Sequence, residues 1–504
     1  MSTADQPTPR RRVVIVGGGI AGLAAAWFLR AAPDAPDVLV LEGARRVGGK
    51  LQLSDVAGLP VDEGAESLLA RRPEGVEFIR AVGLGDELVE PATTAAGVWS
   101  RGQLRPLPTR TVMGVPGDLS TLGASRVLSV RGLARVPLDR TRKPSAFGRG
   151  ELADIAVGEY VADRLGTEVT DRLVEPLLGG VYAGRSRELS FVATVPALAE
   201  AARQHASLLG AAESLLPVRA DAHPSADAPT PTPAVFASLR GGLGRLPRHV
   251  VAALTARSAH VPDAQVEVRT DATVREISRT PTGWRLVVGA VPHAETIDAD
   301  AVVLAVPAAP LARLLQPIAA HVGADAAAIE YASVGLVTLV YPVDEIQSPP
   351  EGSGFLVPPI ERRVTKAATV MTNKWGWLQA AAGPSIVVRC SVGRHRESGV
   401  LQRADAELVR LVEREVAGFL GIQAQPVASR VSRWGGALPQ YAVGHVERVA
   451  RIRAGVAQLP GLAVCGAAFD GVGVPACIAS ARTAAEQVLA HLGERAGREG
   501  QWPT

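Results

Sequence analysis

Gly17, Gly19 and Gly22 stand at G-x-G-x-x-G spacing directly after the β-branched run Val13-Val14-Ile15-Val16, and Glu42 follows Gly22 by 20 residues. A strand entering such a turn presents free N–H groups and the positive end of a helix dipole, which together hold a pyrophosphate. The first glycine permits the tight turn, the second lets a phosphate approach the backbone, and the third brings helix and strand close. Glu42 ends the apolar run Val38-Leu39-Val40-Leu41, where a carboxylate can accept from ribose hydroxyls. Gly17, Gly18, Gly19, Ile20, Ala21, Gly22, Glu42 and Gly43 are therefore candidate contacts to a dinucleotide. A secretory signal or membrane anchor is the competing reading, since three arginines precede the apolar stretch. It leaves Glu42 without a role, and the stretch falls short of the roughly 20 apolar residues a span needs.

Two further glycine-rich stretches extend this chemistry. Arg45-Arg46-Val47-Gly48-Gly49-Lys50 sets a Gly-Gly pair between cations, so that N–H groups and charge can wrap a pyrophosphate from its second side. Near the other end, Cys465-Gly466 through Val472-Gly473-Val474-Pro475 makes a second glycine-rich strand-to-helix turn. Its N–H groups could face the N1–O2 edge of an isoalloxazine, where a helix dipole stabilises negative charge on the reduced ring. Two nucleotide-type turns at opposite ends fit one FAD better than NAD, and add Arg46, Gly49, Lys50, Gly466, Val472, Gly473 and Val474 to the candidates. Cys390, Cys465 and Cys477 form no C-x-x-C pair and are odd in number, which fits a reducing, cytoplasmic setting. The nine histidines are scattered, and no metal site is visible.

The elements that must position these residues follow from periodicity. Strands and helices alternate from Val13 to about Leu88, the pattern of a parallel sheet with crossover helices. From about Val115 to His205 helical apolar spacing takes over, which predicts a helical insertion. Pro217 to Pro233 holds little to bury and reads as a disordered excursion. Asp300 to Pro307 is a continuous buried strand, Leu311 to Arg433 alternates like a mixed or antiparallel sheet, and Pro475 to Leu489 reads as a helix. The expected division gives a nucleotide domain from 12–95, 236–310 and 433–492, and a substrate domain from 96–114 and 311–432. Residues 115–205 form the helical domain and 206–235 a flexible linker. With 504 residues, 47% hydrophobic and 20% charged, the chain has room for two or three soluble domains. A net charge of +3 without basic runs among aromatics excludes a nucleic-acid partner. Lysine is confined to Lys50, Lys143, Lys366 and Lys374; the remaining cations are arginines, which grip carboxylates with a planar fork.

Arg46-Val47-Gly48-Gly49-Lys50 resembles the R-x-G-G-R element of flavoproteins in the amine-oxidase and glutathione-reductase-like group, with lysine in the last place. In that group Gly64-Ala65-Glu66-Ser67 would sit by the ribityl chain and flavin, and the main chain of Val274 would meet adenine. Over nearly the whole chain the sequence is similar to the protoporphyrinogen and coproporphyrinogen oxidase family. The stretches that carry this are Val174 to Gly184, Ser238 to Pro247, Gly352 to Pro358, Asn373-Lys374-Trp375, and Arg433 to Tyr441 with Gly444-His445. The resemblance implies an α/β fold: a Rossmann-like FAD-binding domain of amine-oxidase type, a mixed-sheet substrate domain and a helical insertion that meets the membrane surface in relatives. It implies non-covalent FAD with Trp434 among its contacts, and a flat pocket lined by Gly180, Tyr182, Ser353, Phe355 and Leu356.

Eukaryotic members that take protoporphyrinogen carry an arginine for a propionate at the start of the strand that here reads Ala96-Gly97-Val98-Trp99, and this chain has none there. The resemblance therefore favours coproporphyrinogen III, oxidised to coproporphyrin III by removal of six electrons with O2 as acceptor and H2O2 as product. Arg71, Arg101 and Arg185 are the expected propionate partners, and Lys374 and His445 the two candidate bases, although cofactor chemistry of this kind demands no side-chain base. A ferrochelatase would receive the product, and the setting is cytoplasmic, peripheral at a membrane. Protoporphyrinogen IX is the alternative substrate. A general flavin amine oxidase is a further alternative and would need a cage from Trp375, Trp377, Trp434 and Tyr441.

Overall fold

The computed structural model describes residues 10–217, 235–256, 264–346 and 350–499. Apart from Pro217, the expected disordered excursion lies outside the described residues. Five parallel strands form the first sheet, in the order Val266–Arg269, Asp37–Leu41, Arg12–Val16, Ala301–Leu304 and Leu462–Val464. Its central runs are apolar at consecutive positions because both faces are covered. Val13, Ile15 and Val303 enter a core with helices Ile20–Arg30 and Val474–Glu499. Val14, Val16, Val302 and Leu304 enter another, closed by the antiparallel strands Val274–Thr280, Gly283–Val288 and Glu295–Ala299. Parallel neighbours need long crossovers, so this sheet draws its strands from the beginning, middle and end of the chain. Their carboxyl ends share one side, where open α/β sheets bind ligands.

The second sheet has seven strands: Ala428–Pro439, Tyr331–Pro342, Ser385–Val392, Thr365–Val370, Gly354–Leu356, Ala96–Ser100 and Gln103–Pro106. All its pairings are antiparallel except that of Gly354–Leu356 with Ala96–Ser100. Its back face packs Val337, Phe355, Ala368 and Cys390 against Leu408, Val412, Val416 and Phe419 of helix Asp405–Leu420. Helix Glu175–Tyr182, of the helical segment, lies against the front. That segment has its own core, centred on Phe147, Tyr160 and Phe191 with ring centroids 5.3 to 5.5 Å apart.

The structure departs from the expected division in two places. The linker expected at 206–235 opens with a helix, Leu208–Ser214, whose Leu208 and Leu209 enter the helical core, and the Leu209 N–H donates to buried Asp139 at 2.9 Å. A boundary at residue 433 would cut the strand Ala428–Pro439, which stays in the seven-stranded sheet to its end. Among the described residues no helix is long and apolar enough to cross a membrane.

Candidate functional site

At the first turn the Gly17 N–H donates to Leu41 O at 2.8 Å, with Gly17 at φ +108°. A Cβ on Gly22 would lie 1.9 Å from Gly17 O, and one on Gly18 would lie 2.9 Å from Glu42 Cβ. Glu42 is held at the turn by two backbone donors, Gly18 N–H at 2.7 Å and Ala44 N–H at 2.8 Å. Gly48 N–H donates to Gly18 O at 2.8 Å, which laces the second Gly-Gly pair onto the first. The Gly43 backbone passes close to Thr273, and Ala272 N–H donates to Glu42 O at 2.8 Å, so Val274 starts its strand beside Glu42 with its side chain buried. Ile20 and Ala21 open the helix, and a Cβ on Gly466 of the C-terminal turn would come 3.9 Å from Ala21 Cβ. Gly19 faces open space, while Gly49, Gly466 and Gly473 have no atom nearer than 3.3 Å to an added Cβ. These open sides leave backbone of both turns accessible, which fits a dinucleotide cofactor.

Behind this cradle lies a charged seam. Arg46 donates to Gly49 O at 2.9 Å and lies 5.6 Å over the Trp434 ring, while burial lowers the Lys50 ammonium from its ordinary value. Gly64 must lack a side chain because a Cβ would sit 1.9 Å from Lys50 O; Ala65 N–H donates to that same oxygen at 3.3 Å, and Ser67 is half-buried nearby in sequence. Glu66 is buried between Lys374 Nζ at 2.5 Å and Arg389 at 2.7 Å. Burial raises its carboxyl, but the two cations outweigh that and hold it below the usual range. Arg389 also donates to Asp62 O at 2.7 Å. Burial pushes Asp62 up to about 6, although it accepts from the N–H groups of Gly244 and Leu243. Trp434 Nε1 donates to Glu63 O at 2.6 Å, and Glu63 in turn pairs with Arg430.

Tyr441 ties the C-terminal turn to the helical segment. Its hydroxyl donates to Ala467 O at 2.7 Å and accepts from Gly471 N–H at 2.8 Å, and its ring meets Tyr182 at 5.4 Å. Val472 packs toward the helical core and Val474 into the nucleotide core. His445 stacks on Tyr441 at 3.9 Å, and burial pushes it down to about 4, so it is neutral at pH 7. Neither candidate base is free: Lys374 serves as a counter-ion to Glu66, and His445 is enclosed.

The front face of the seven-stranded sheet changes along its length. Val340 and Val387 are covered by apolar side chains, Thr338, Arg389 and Thr369 form the row at the seam, and the next row is Ser432, Leu336, Ser391, Ala367 and Leu356. Every member of that last row is half-buried, whereas Val337, Cys390, Ala368 and Phe355 on the back are at most 3% exposed. This row is an open floor of small or neutral side chains. Its roof is the end of helix Glu175–Tyr182: Gly180 is exposed, an added Cβ would lie 3.7 Å from Leu356, and Val181 is 41% exposed.

Several expected pocket residues are placed differently. Phe355 points to the back, 5.3 Å from Phe419, because neighbours along a strand face opposite ways. Tyr182 is buried behind the roof, with its hydroxyl raised to about 12 by desolvation. Ser353 donates to Ala95 O at 2.9 Å beyond the end of the floor. Arg71 is exposed, Arg101 donates to Arg126 O at 2.8 Å and Arg185 pairs with Glu397 at 2.9 Å, so none of the three belongs to the floor. Arg389, Ser391 and Ala367 went unnamed as site residues, and Tyr441 entered only as part of the aromatic cage of the amine-oxidase alternative. The signal for the first two lay in Val388-Arg389-Cys390-Ser391, polar residues at period two inside a buried strand.

A nucleotide cradle on a parallel sheet, joined by a charged seam to an open mixed-sheet floor under a helical roof, is the build of a cofactor-dependent oxidoreductase. The chain belongs to the flavin containing amine oxidoreductase family, whose model matches residues 20–489, and a flavin is the cofactor of that family. It is 37% identical to coproporphyrinogen III oxidase of Mycobacterium leprae over 487 residues, 96% of this chain and 99% of the relative. It is 29% identical to chloroplastic protoporphyrinogen oxidase of Oryza sativa subsp. japonica, covering 95% and 88%. The crystal structure of an Exiguobacterium sp. 255-15 protein superposes with TM-score 0.80 at 31% identity, covering 96% of this chain and 99% of that one.

Proposed function

We propose that this chain binds FAD non-covalently and oxidises coproporphyrinogen III to coproporphyrin III in haem biosynthesis, with O2 as acceptor and H2O2 as product. The floor carries the reading: five side chains, none charged, form a half-buried surface across five adjacent strands, the kind of face a flat macrocycle can lie on. An amine would need an aromatic cage, yet Trp375 and Tyr441 are each 1% exposed and Trp434 is capped by Arg46. The FAD supplies two-electron acceptance, so three passages remove the six electrons.

The remaining work falls to this chain's residues. Backbone at Gly17 to Gly22 and Gly48-Gly49 would hold the pyrophosphate, and Glu42 the ribose. Glu66, Arg389 and Lys374 fix the wall between cradle and floor, and the Gly179 to Val181 roof excludes water from the macrocycle. Holding the ring in one orientation supplies the rate, and protons leave to water or to macrocycle nitrogens without a side-chain base. The copro- substrate is favoured over the proto- substrate because the strand that reads Ala96-Gly97-Val98-Trp99 carries no arginine for a propionate at its start. The same reading carries a ferrochelatase that takes the product. It also carries cytoplasmic placement with contact to a membrane surface through the helical segment, supported by Val130 at 89% and Leu138 at 51% exposure.

Anaerobic mixing of purified yellow protein with coproporphyrinogen III tests the proposal. The flavin absorbance bleaches, and admitting air yields coproporphyrin fluorescence with three equivalents of peroxide. Flavin that stays oxidised under these conditions overturns it, and equal turnover of protoporphyrinogen IX overturns the substrate choice.

A further inference from the structure

Tyr441 is 1% exposed, and its hydroxyl bonds into the C-terminal turn rather than to its own segment. It donates to Ala467 O at 2.7 Å and accepts from Gly471 N–H at 2.8 Å. Those two backbone groups are four residues apart, the pair that bonds directly in a helical turn. The Tyr441 oxygen stands between them and wedges the turn open. Both roles need the protonated hydroxyl, and burial holds the proton there by raising the group well above the ordinary phenol range.

The wedge is anchored away from the turn. Tyr441 O accepts from Ser190 N–H at 2.7 Å, and the neighbouring Gln440 donates to Tyr182 O at 2.8 Å, so the backbone beneath the ring is fixed to the helical segment. The ring itself packs on Tyr182 at 5.4 Å and on His445 at 3.9 Å. The turn has less to define it. It opens at Gly466 with φ +122° and reaches Gly471 with φ +138°, conformations that side chains rarely adopt, and inside it Phe469 N–H reaches Gly466 O at a long 3.3 Å. On the outer side Arg453 pairs with Asp470, but both side chains are more than a third exposed, and exposed pairs contribute little. Val472 and Gly473 then lead into helix Val474–Glu499.

We infer that Tyr441 is a positioning residue for the flavin: its hydroxyl sets where the backbone N–H groups of residues 472–474 and the start of the following helix stand, and so sets how readily the bound ring is reduced. This rests on the reading of residues 466–474 as the turn that meets the isoalloxazine, and not on the choice of substrate. Donors at that edge act on negative charge that the ring carries only when reduced. A turn closed on itself, with Gly471 N–H bonded to Ala467 O, draws those donors back and weakens the reduced state more than the oxidised one. Because Tyr441 is anchored in the helical segment, roof and cofactor share one support.

Tyr441→Phe removes the hydroxyl and keeps the ring, and Tyr182→Phe makes the same change on the neighbouring ring without touching the turn. Midpoint potentials are read against a reference dye during anaerobic reduction. Dissociation constants for oxidised and reduced FAD are read separately, so that a variant losing cofactor on purification still reports. Relative to wild type, Tyr441→Phe holds reduced flavin about tenfold more weakly against oxidised flavin, a shift of about 30 mV to more negative potential, and Tyr182→Phe matches wild type. An unmoved potential in Tyr441→Phe, equal weakening of both flavin states, or an equal shift in Tyr182→Phe overturns the inference. Gly473→Leu tests the reading beneath it, since an added Cβ there meets nothing nearer than 3.7 Å within the protein. Gly473→Leu protein with wild-type flavin affinity refutes the placement of the ring at this turn. Loss of flavin in Gly473→Leu beside an unmoved potential in Tyr441→Phe refutes the positioning role alone.

Discussion

The cradle and the floor meet along Glu66, Arg389 and Trp434, and they are built in opposite ways. In the cradle the working atoms are backbone: a Cβ at Gly17, Gly18, Gly22, Gly48 or Gly64 would meet an existing atom at less than 3.0 Å. In the floor the working surface is side chains, all uncharged, on one face of strands whose other face is packed core. The cradle is thus fixed by what it cannot contain, the floor by what it leaves unfilled. The first should fail by loss of cofactor and fold together, and the second by loss of substrate alone.

Gly22→Val is the strongest test of that contrast. The clash is at Cβ, 1.9 Å from Gly17 O, so no rotamer relieves it and the helix must leave the strand. Destabilisation above about 4 kcal/mol is expected, with no flavin absorbance after gel filtration. Yellow, stable Gly22→Val protein breaks the comparison. The floor gives the second test. Ala367→Phe places a ring over its centre and should lower turnover on the order of 100-fold, with flavin content and thermal midpoint close to wild type. Ala368→Phe, one residue along but facing the packed core, should reverse the pattern: overpacking costs about 1–3 kcal/mol, and turnover per folded molecule is retained. Equal effects at both positions would show that the two faces are not distinct.

The same contrast explains what the sequence disclosed. The cradle was legible because its constraint is local: glycines at fixed spacing, an acid at a fixed distance, and a second glycine pair whose flanking cations stay in sequence order. The floor depends on register between strands drawn from residues 96 to 439, and register is not written in any one of them. Phe355 and Leu356 looked equivalent as neighbours in one segment, yet the pleat sends them to opposite faces. The helix Leu208–Ser214 was hidden because it abuts a stretch with little to bury, and its anchor, Asp139, lies far back in the sequence.

His445 gives the smallest effect and sharpens the boundary between the two regions, because it sits where roof, floor strand and C-terminal turn converge. Its folded value, about 4, lies below the 6.5 of an ordinary histidine, so the folded state binds fewer protons than the unfolded one. The resulting stability is fully present above pH 6.5 and is lost as pH falls toward 4, by up to about 3 kcal/mol. His445→Phe keeps a ring on Tyr441 and removes that titration. At pH 7 its unfolding free energy should lie within about 1 kcal/mol of wild type, and the variant should gain progressively on wild type as pH drops to 4, as read by urea unfolding across the series. Turnover at pH 7 should be retained. A loss on the order of 100-fold with flavin still bound would mean that a buried base takes part, and that backbone cradle and open floor are not together sufficient for the chemistry.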